Sequence, residues 1–165
     1  MRKEAEIRQS ELEKVPRYTR DLQNVVVRSK EVGFEKALTE WAGRIIERRL
    51  AWFEKNKDCL TRLQGTEVRK GFELVMVEYM GVPPEEVTIV AETETKITWQ
   101  SHDFCPYFEA IKTLGMDTRM VCKYAIETPV QALLNVLNPR LRFSRNYQNI
   151  RPYTDYCEET IELVE

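Results

Sequence analysis

The sequence predicts an α+β fold: an N-terminal helical layer packed on a small, mainly antiparallel sheet, with short helices inserted between the strands. Three observations carry this. Apolar residues recur at helical spacing from Phe34 to Tyr79, strict alternation replaces that spacing from Val87 to Gln100, and two further strand-like runs close the chain.

The chain divides into an N-terminal helical arm, residues 1–30, and a single α+β domain, residues 31–165. The arm is rich in Glu, Lys and Arg, with Ala5, Ile7 and Leu12 as its thin apolar content. Pro16 is expected to break any helix there, because it lacks an N–H and clashes with the preceding turn. The arm reads as a helix that packs on its own domain or on a second subunit, or as a frayed tail. Val25–Val27 reads as a short strand or as a buried helical turn, which periodicity does not separate.

Phe34, Leu38, Trp41, Ile45 and Trp52 form the stripe of an amphipathic helix ending near Lys57. A second stripe, Val68, Phe72, Val75, Met76 and Tyr79, is stopped by Gly81 and Pro83-Pro84. The short turn at Gln64-Gly65 predicts an antiparallel helix pair. Both aromatic stripes read as core. Arg44, Arg48 and Arg49 alternate with Glu40, Glu47 and Glu54 and read as a solvated face.

In the next segment Val87, Ile89, Ala91, Ile97 and Trp99 face one way, while Thr88, Glu92, Lys96 and Thr98 face the other, as in a half-exposed strand pair or one bent strand. Asp103-Phe104-Cys105-Pro106 then opens a short helix closed by Leu114-Gly115. Asp117 caps a helix carrying Cys122. Thr128-Pro129-Val130-Gln131 has capping-box spacing and predicts a fresh helix start. Strands over Arg140–Tyr147 and Thr154–Val164, separated by Arg151-Pro152, finish the domain.

Composition narrows the function classes. The chain is 42% hydrophobic and 32% charged, with 25 basic and 27 acidic residues and a formal net charge of −2. That balance suits a globular protein and disfavours nucleic acid as a partner. No apolar run is long enough to span a bilayer, so no membrane partner is expected. The charged opening, Met1-Arg2-Lys3-Glu4, argues against a signal peptide, and a reducing, cytoplasmic location follows. Four cysteines in such a compartment read as thiols or ligands rather than disulfides. There is no glycine-rich phosphate loop and no serine nucleophile elbow.

The candidate centre is therefore Cys105, Cys122 and Cys157. Cys105 precedes Pro106 at a helix start, where free amides and the helix dipole favour the thiolate, the nucleophilic and metal-binding form. Cys122 lies one and a half turns into the next helix, and Cys157 lies on the last strand on the face of Ile161. Cys59 looks incidental. The cysteines lack CxxC spacing, so they do not form a zinc ribbon. His102, three residues before Cys105, is a candidate proton carrier, fourth ligand or partner in a Cys–His pair. Arg142, Arg145 and Arg151 flank the final hairpin and are candidate carboxylate contacts, or charges that guard a sheet edge. Glu127 and Glu158 are weaker general-base candidates.

The stretches His102-Asp103-Phe104-Cys105-Pro106, Leu114-Gly115-Met116-Asp117, Val121-Cys122 and Asp155-Tyr156-Cys157-Glu158 resemble the L-2-amino-thiazoline-4-carboxylic acid hydrolase family. The order of elements also resembles 4-vinyl reductase domains. The resemblance covers roughly residues 85–165. It implies a thiol- or metal-dependent hydrolase of a small sulfur- or nitrogen-containing acid. In that reading Cys105 and His102 are catalytic, Arg142 and Arg145 bind substrate, and Cys105, Cys122 and Cys157 hold a zinc or iron ion. The second resemblance implies a non-catalytic domain that senses a small molecule or a metal. A homodimer exchanging its first 30 residues is the structural alternative.

Overall fold

The computed structural model describes residues 7–165. Residues 1–6 of the expected arm lie outside the described residues. The first helix, α1 (Gln9–Val32), runs straight through Pro16. Pro16 is exposed, while Tyr18, Leu22 and Val25 on the other side are buried against the next helix and a later one. That packing offsets the roughly 3 kcal/mol that an interior proline costs. The same burial resolves Val25–Val27 as helix, and it places the arm on its own domain.

Gly33, at a φ of 89°, turns the chain into α2 (Phe34–Lys55). Such a positive φ favours glycine. Leu38, Trp41 and Ile45 of α2 are buried, as the apolar stripe predicts, and so is Phe53; Phe34 and Trp52 of that stripe are half-buried. A 3₁₀ turn, Lys57–Arg62, buries Cys59 among Phe53, Leu63, Leu74 and Leu133. The next helix, α3 (Glu67–Phe72), starts where the Thr66 hydroxyl accepts the Arg69 N–H at 3.2 Å. It continues as a π-helical segment, Glu73–Tyr79.

A four-stranded antiparallel sheet follows, with β1 (Val87–Glu92), β2 (Lys96–Ser101), β3 (Leu141–Asn146) and β4 (Cys157–Leu163) in the order β1-β2-β4-β3. Between β2 and β3 lie α4 (Pro106–Thr113), α5 (Thr118–Val121), a π-helical turn Cys122–Ile126, and α6 (Glu127–Leu137). Thr128-Pro129 does not begin a new helix. Glu127 N–H reaches back five residues to the Cys122 carbonyl, and this wider turn carries the chain continuously into α6 before the proline.

Helix α3 does not pair chiefly with α2. Instead α2 packs on α1 and α6, and α3 lies over the sheet. A Cβ on Gly71 would stand 3.1 Å from Leu134 and 3.3 Å from Leu141, so only glycine lets α3 sit this close. Two cores result. One joins α1, α2, α4 and α5 around Leu22, Trp41, Ile45 and Ile111; the other joins α3, α6 and the sheet around Phe72, Trp99, Leu134 and Ile161. Burying each such side chain contributes about 1.5–3 kcal/mol. The opposite sheet face is polar, with the Thr98 and Thr160 hydroxyls 2.9 Å apart. Among the described residues no helix is long and apolar enough to cross a membrane.

Candidate small-molecule site

Where the two cores meet, the chain leaves β2 toward α4 with alternating side-chain direction. Ser101 and Asp103 point inward and are buried; His102 points outward and is exposed. The His102 ring lies 5.7 Å from that of Tyr156, outside the site. The expected Cys105–His102 catalytic pair therefore does not form. Parity also decides between the arginines of β3. Arg145 shares the inner face with Leu141 and Phe143, while Arg142 is exposed and donates to the Leu141 carbonyl at 2.9 Å. Arg142 is thus not a ligand contact.

Cys105, Cys122 and Cys157 do share a wall. All three line an inner chamber of about 60 Å³. Cys105 caps α4, its sulfur accepting the Phe108 N–H at 3.4 Å. Cys122 opens the second π-helical turn, and the Cys157 sulfur accepts from Arg151 Nε at 3.3 Å. Both π-helical segments contribute to this chamber, through Val75 and Met76 on one side and Cys122 and Ile126 on the other. Such segments recur at functional sites.

Cys105 and Cys122 are thiols, not thiolates. Burial pushes Cys105 up to about 12, against the opposing pull of Arg151, and pushes Cys122 up to about 11, against that of Arg145. Desolvation wins over the helix-start effect that the sequence suggested. Among the described residues no three His, Cys, Asp or Glu side chains are placed to hold a metal ion. Arg145 and Arg151 line the same chamber and repel a cation. The zinc or iron expected at Cys105, Cys122 and Cys157 does not fit this setting.

The chamber is defined instead by buried charge. Arg49, only 2% exposed, lines it from α2; its guanidinium lies 5.0 Å over the Tyr79 ring, and Nε and Nη1 make no hydrogen bond. Arg145 binds the Glu159 carboxylate at 2.6 Å but leaves Nη1 unpaired. Arg151 donates to the Asp103 carbonyl and lies 3.9 Å from its carboxylate. The Ser101 hydroxyl is also buried without a partner. Three guanidiniums thus face two carboxylates, Asp103 and Glu159. Burial raises Asp103 to about 6, with Arg151 pulling the other way.

A larger outer chamber of about 490 Å³ adjoins this one and shares Arg49, Met80, Asp103, Cys105 and Tyr107 with it. Tyr18 stacks on Tyr107 with centroids 4.1 Å apart, and Trp52 meets Tyr79 edge-on at 4.9 Å. Trp52 and Tyr79, expected in the core, are half-buried and form its wall.

Sequence reasoning missed Arg49, Asp103 and Glu159. Arg49 carried a signal: it falls four residues after Ile45 and eight after Trp41, inside the apolar stripe of α2. A charge at a core position of a helix marks a special environment. Comparison of the chain with family models, curated proteins and solved structures finds no match.

Proposed function

We propose that the protein binds a small organic acid, with the carboxylate in the inner chamber and the body in the outer one. One observation carries the reading: the buried Arg49 guanidinium lies 5.0 Å over the Tyr79 ring but leaves Nε and Nη1 without a hydrogen-bond partner. A buried cation left short of hydrogen bonds is costly, and a carboxylate entering the chamber offsets that cost. The inner volume of about 60 Å³ suits such a head group, because a water occupies about 30 Å³. Ser101 and Arg145 Nη1 supply further donors. Neutral Cys105 and Cys122 serve as walls.

Hydrolysis is the second reading, favoured by Asp103. Its carboxyl, raised to about 6, lines both chambers beside Cys105. A carboxylate poised near neutral pH suits general-base work on a water molecule. Asp103 would accept the proton while Arg49 holds the acid. The resemblance to aminothiazoline carboxylate hydrolases suggests a cyclic amidine acid as substrate; tight binding without turnover would instead match the sensing role of 4-vinyl reductase domains.

Calorimetric titration with benzoate and 2-aminothiazoline-4-carboxylate tests both readings. Each acid should bind, its methyl ester should not, and Arg49→Gln should abolish binding. Equal binding of acid and ester overturns the carboxylate reading. Product formation from the thiazoline that disappears in Asp103→Asn supports hydrolysis, and its absence in the native protein removes that second reading.

A further inference from the structure

We infer that the ligand is a flat acid carrying a second anionic group, a carboxylate or phosphate, which docks at the mouth of the outer chamber on Arg17, Arg48 and Lys55. This rests on the inner chamber taking the first carboxylate.

The basic residues of the outer chamber come from α1 and α2 and differ in how they are occupied. Lys14 is already paired with Glu11 at 2.9 Å. Arg17 and Arg48 have no carboxylate partner among the described residues; their guanidiniums lie 5.2 and 5.9 Å from the centre of one ring, that of Tyr18. Lys55, two turns beyond Arg48 along α2, is likewise without a carboxylate among the described residues and lines the same chamber. Two cations gathered on one aromatic ring repel each other, and among the described residues the chamber supplies only Glu11 and Asp103 as acids. An anion at the mouth relieves that repulsion.

The wall between the two anion positions fixes the body of the ligand. Tyr107, half-buried and stacked parallel on buried Tyr18 at 6°, and Trp52, edge-on to Tyr79, line it. These are flat, half-apolar surfaces against which a ring packs well. Arg49 lines both chambers, so a single ring bridges the buried guanidinium and the cationic mouth. Such a route from basic rim to buried arginine also steers acids inward.

Calorimetry with the full chain tests this using benzoate, terephthalate and 4-carboxyphenyl phosphate. At least one dianion should bind about fivefold or more tighter than benzoate, a gain of the size exposed ion pairs give. The gain should shrink with added salt. In an Arg17→Gln/Arg48→Gln/Lys55→Gln variant, checked for folding by circular dichroism, the dianion-to-benzoate ratio should fall to about one. If neither dianion exceeds benzoate, or the gain survives the triple variant, the second-anion inference is overturned while the carboxylate reading stands. If none of the three compounds binds, both fall.

Discussion

Arg145 and Glu159 sit opposite each other on β3 and β4, joined at 2.6 Å on the inner face of the sheet. Both side chains are almost fully buried, so each is the other's principal compensation for lost hydration. Glu159→Gln leaves Arg145 uncompensated and should cost about 3–5 kcal/mol in urea unfolding. The double variant Arg145→Met/Glu159→Leu should recover most of that loss. An unchanged midpoint in Glu159→Gln would show that the pair is not what holds Arg145 in place.

Arg49 should behave in the opposite way. Its Nε and Nη1 have no hydrogen-bond partner, so replacing it with methionine removes a buried charge held against the Tyr79 ring without a carboxylate among the described residues. Arg49→Met should raise the stability of the ligand-free protein by about 1–3 kcal/mol while abolishing acid binding. Thermal unfolding with and without benzoate measures both effects. A destabilised variant would mean that Arg49 serves the fold rather than a ligand.

Asp103 gives a pH dependence with a definite sign. Its folded-state value, about 6, lies above its ordinary 3.8, so the folded protein favours the proton. The corresponding stability is fully present below about 3.8 and is lost as pH rises through about 6. Relative to Asp103→Asn, the native protein should lose about 2–3 kcal/mol across that window. Acid affinity should also rise as pH falls toward 6, because neutral Asp103 no longer competes for Arg151. A flat stability difference between the two proteins would contradict this.

The thiols yield a reactivity prediction. With Cys105 pushed up to about 12 and Cys122 to about 11, both are neutral at pH 8. Iodoacetamide should label them at least about a hundredfold more slowly in the folded protein than in urea, as mass spectrometry of digests would read. Equal rates would restore the thiolate that the Cys105–Pro106 sequence suggested.

Much of the fold was legible because periodicity reports burial. The stripe of α2 and the alternation of β2 each follow from which side chains meet a core. In β1 an irregularity between Ile89 and Ala91 pairs Ala91 with Thr98 and Glu92 with Ile97, against the expected faces. The errors arose where tertiary packing overrode a local signal. Pro16 fails to end α1 because Tyr18, Leu22 and Val25 hold the helix down. Thr128-Pro129 fails to start a helix because a π-helical turn carries the backbone through. At the site, Arg142 and Arg145 were not told apart, while the three cysteines were legible as a group and strand alternation placed Cys157 on the face of Ile161. Their chemistry was not legible, since thiol ionisation depends on desolvation that only the packed chamber reveals. His102 and Arg142 lie one residue out of phase with Asp103 and Phe143, and so face solvent.

The central claim is that a carboxylate belongs beside Arg49. A crystal structure with 4-bromobenzoate tests it most directly, because anomalous scattering from bromine fixes the orientation of the ring. The account predicts the carboxylate in the inner chamber against Arg49, with the bromine in the outer chamber between Tyr107 and Tyr79. A carboxylate bound elsewhere, or an inner chamber that stays empty of it at saturating concentration, would contradict the account.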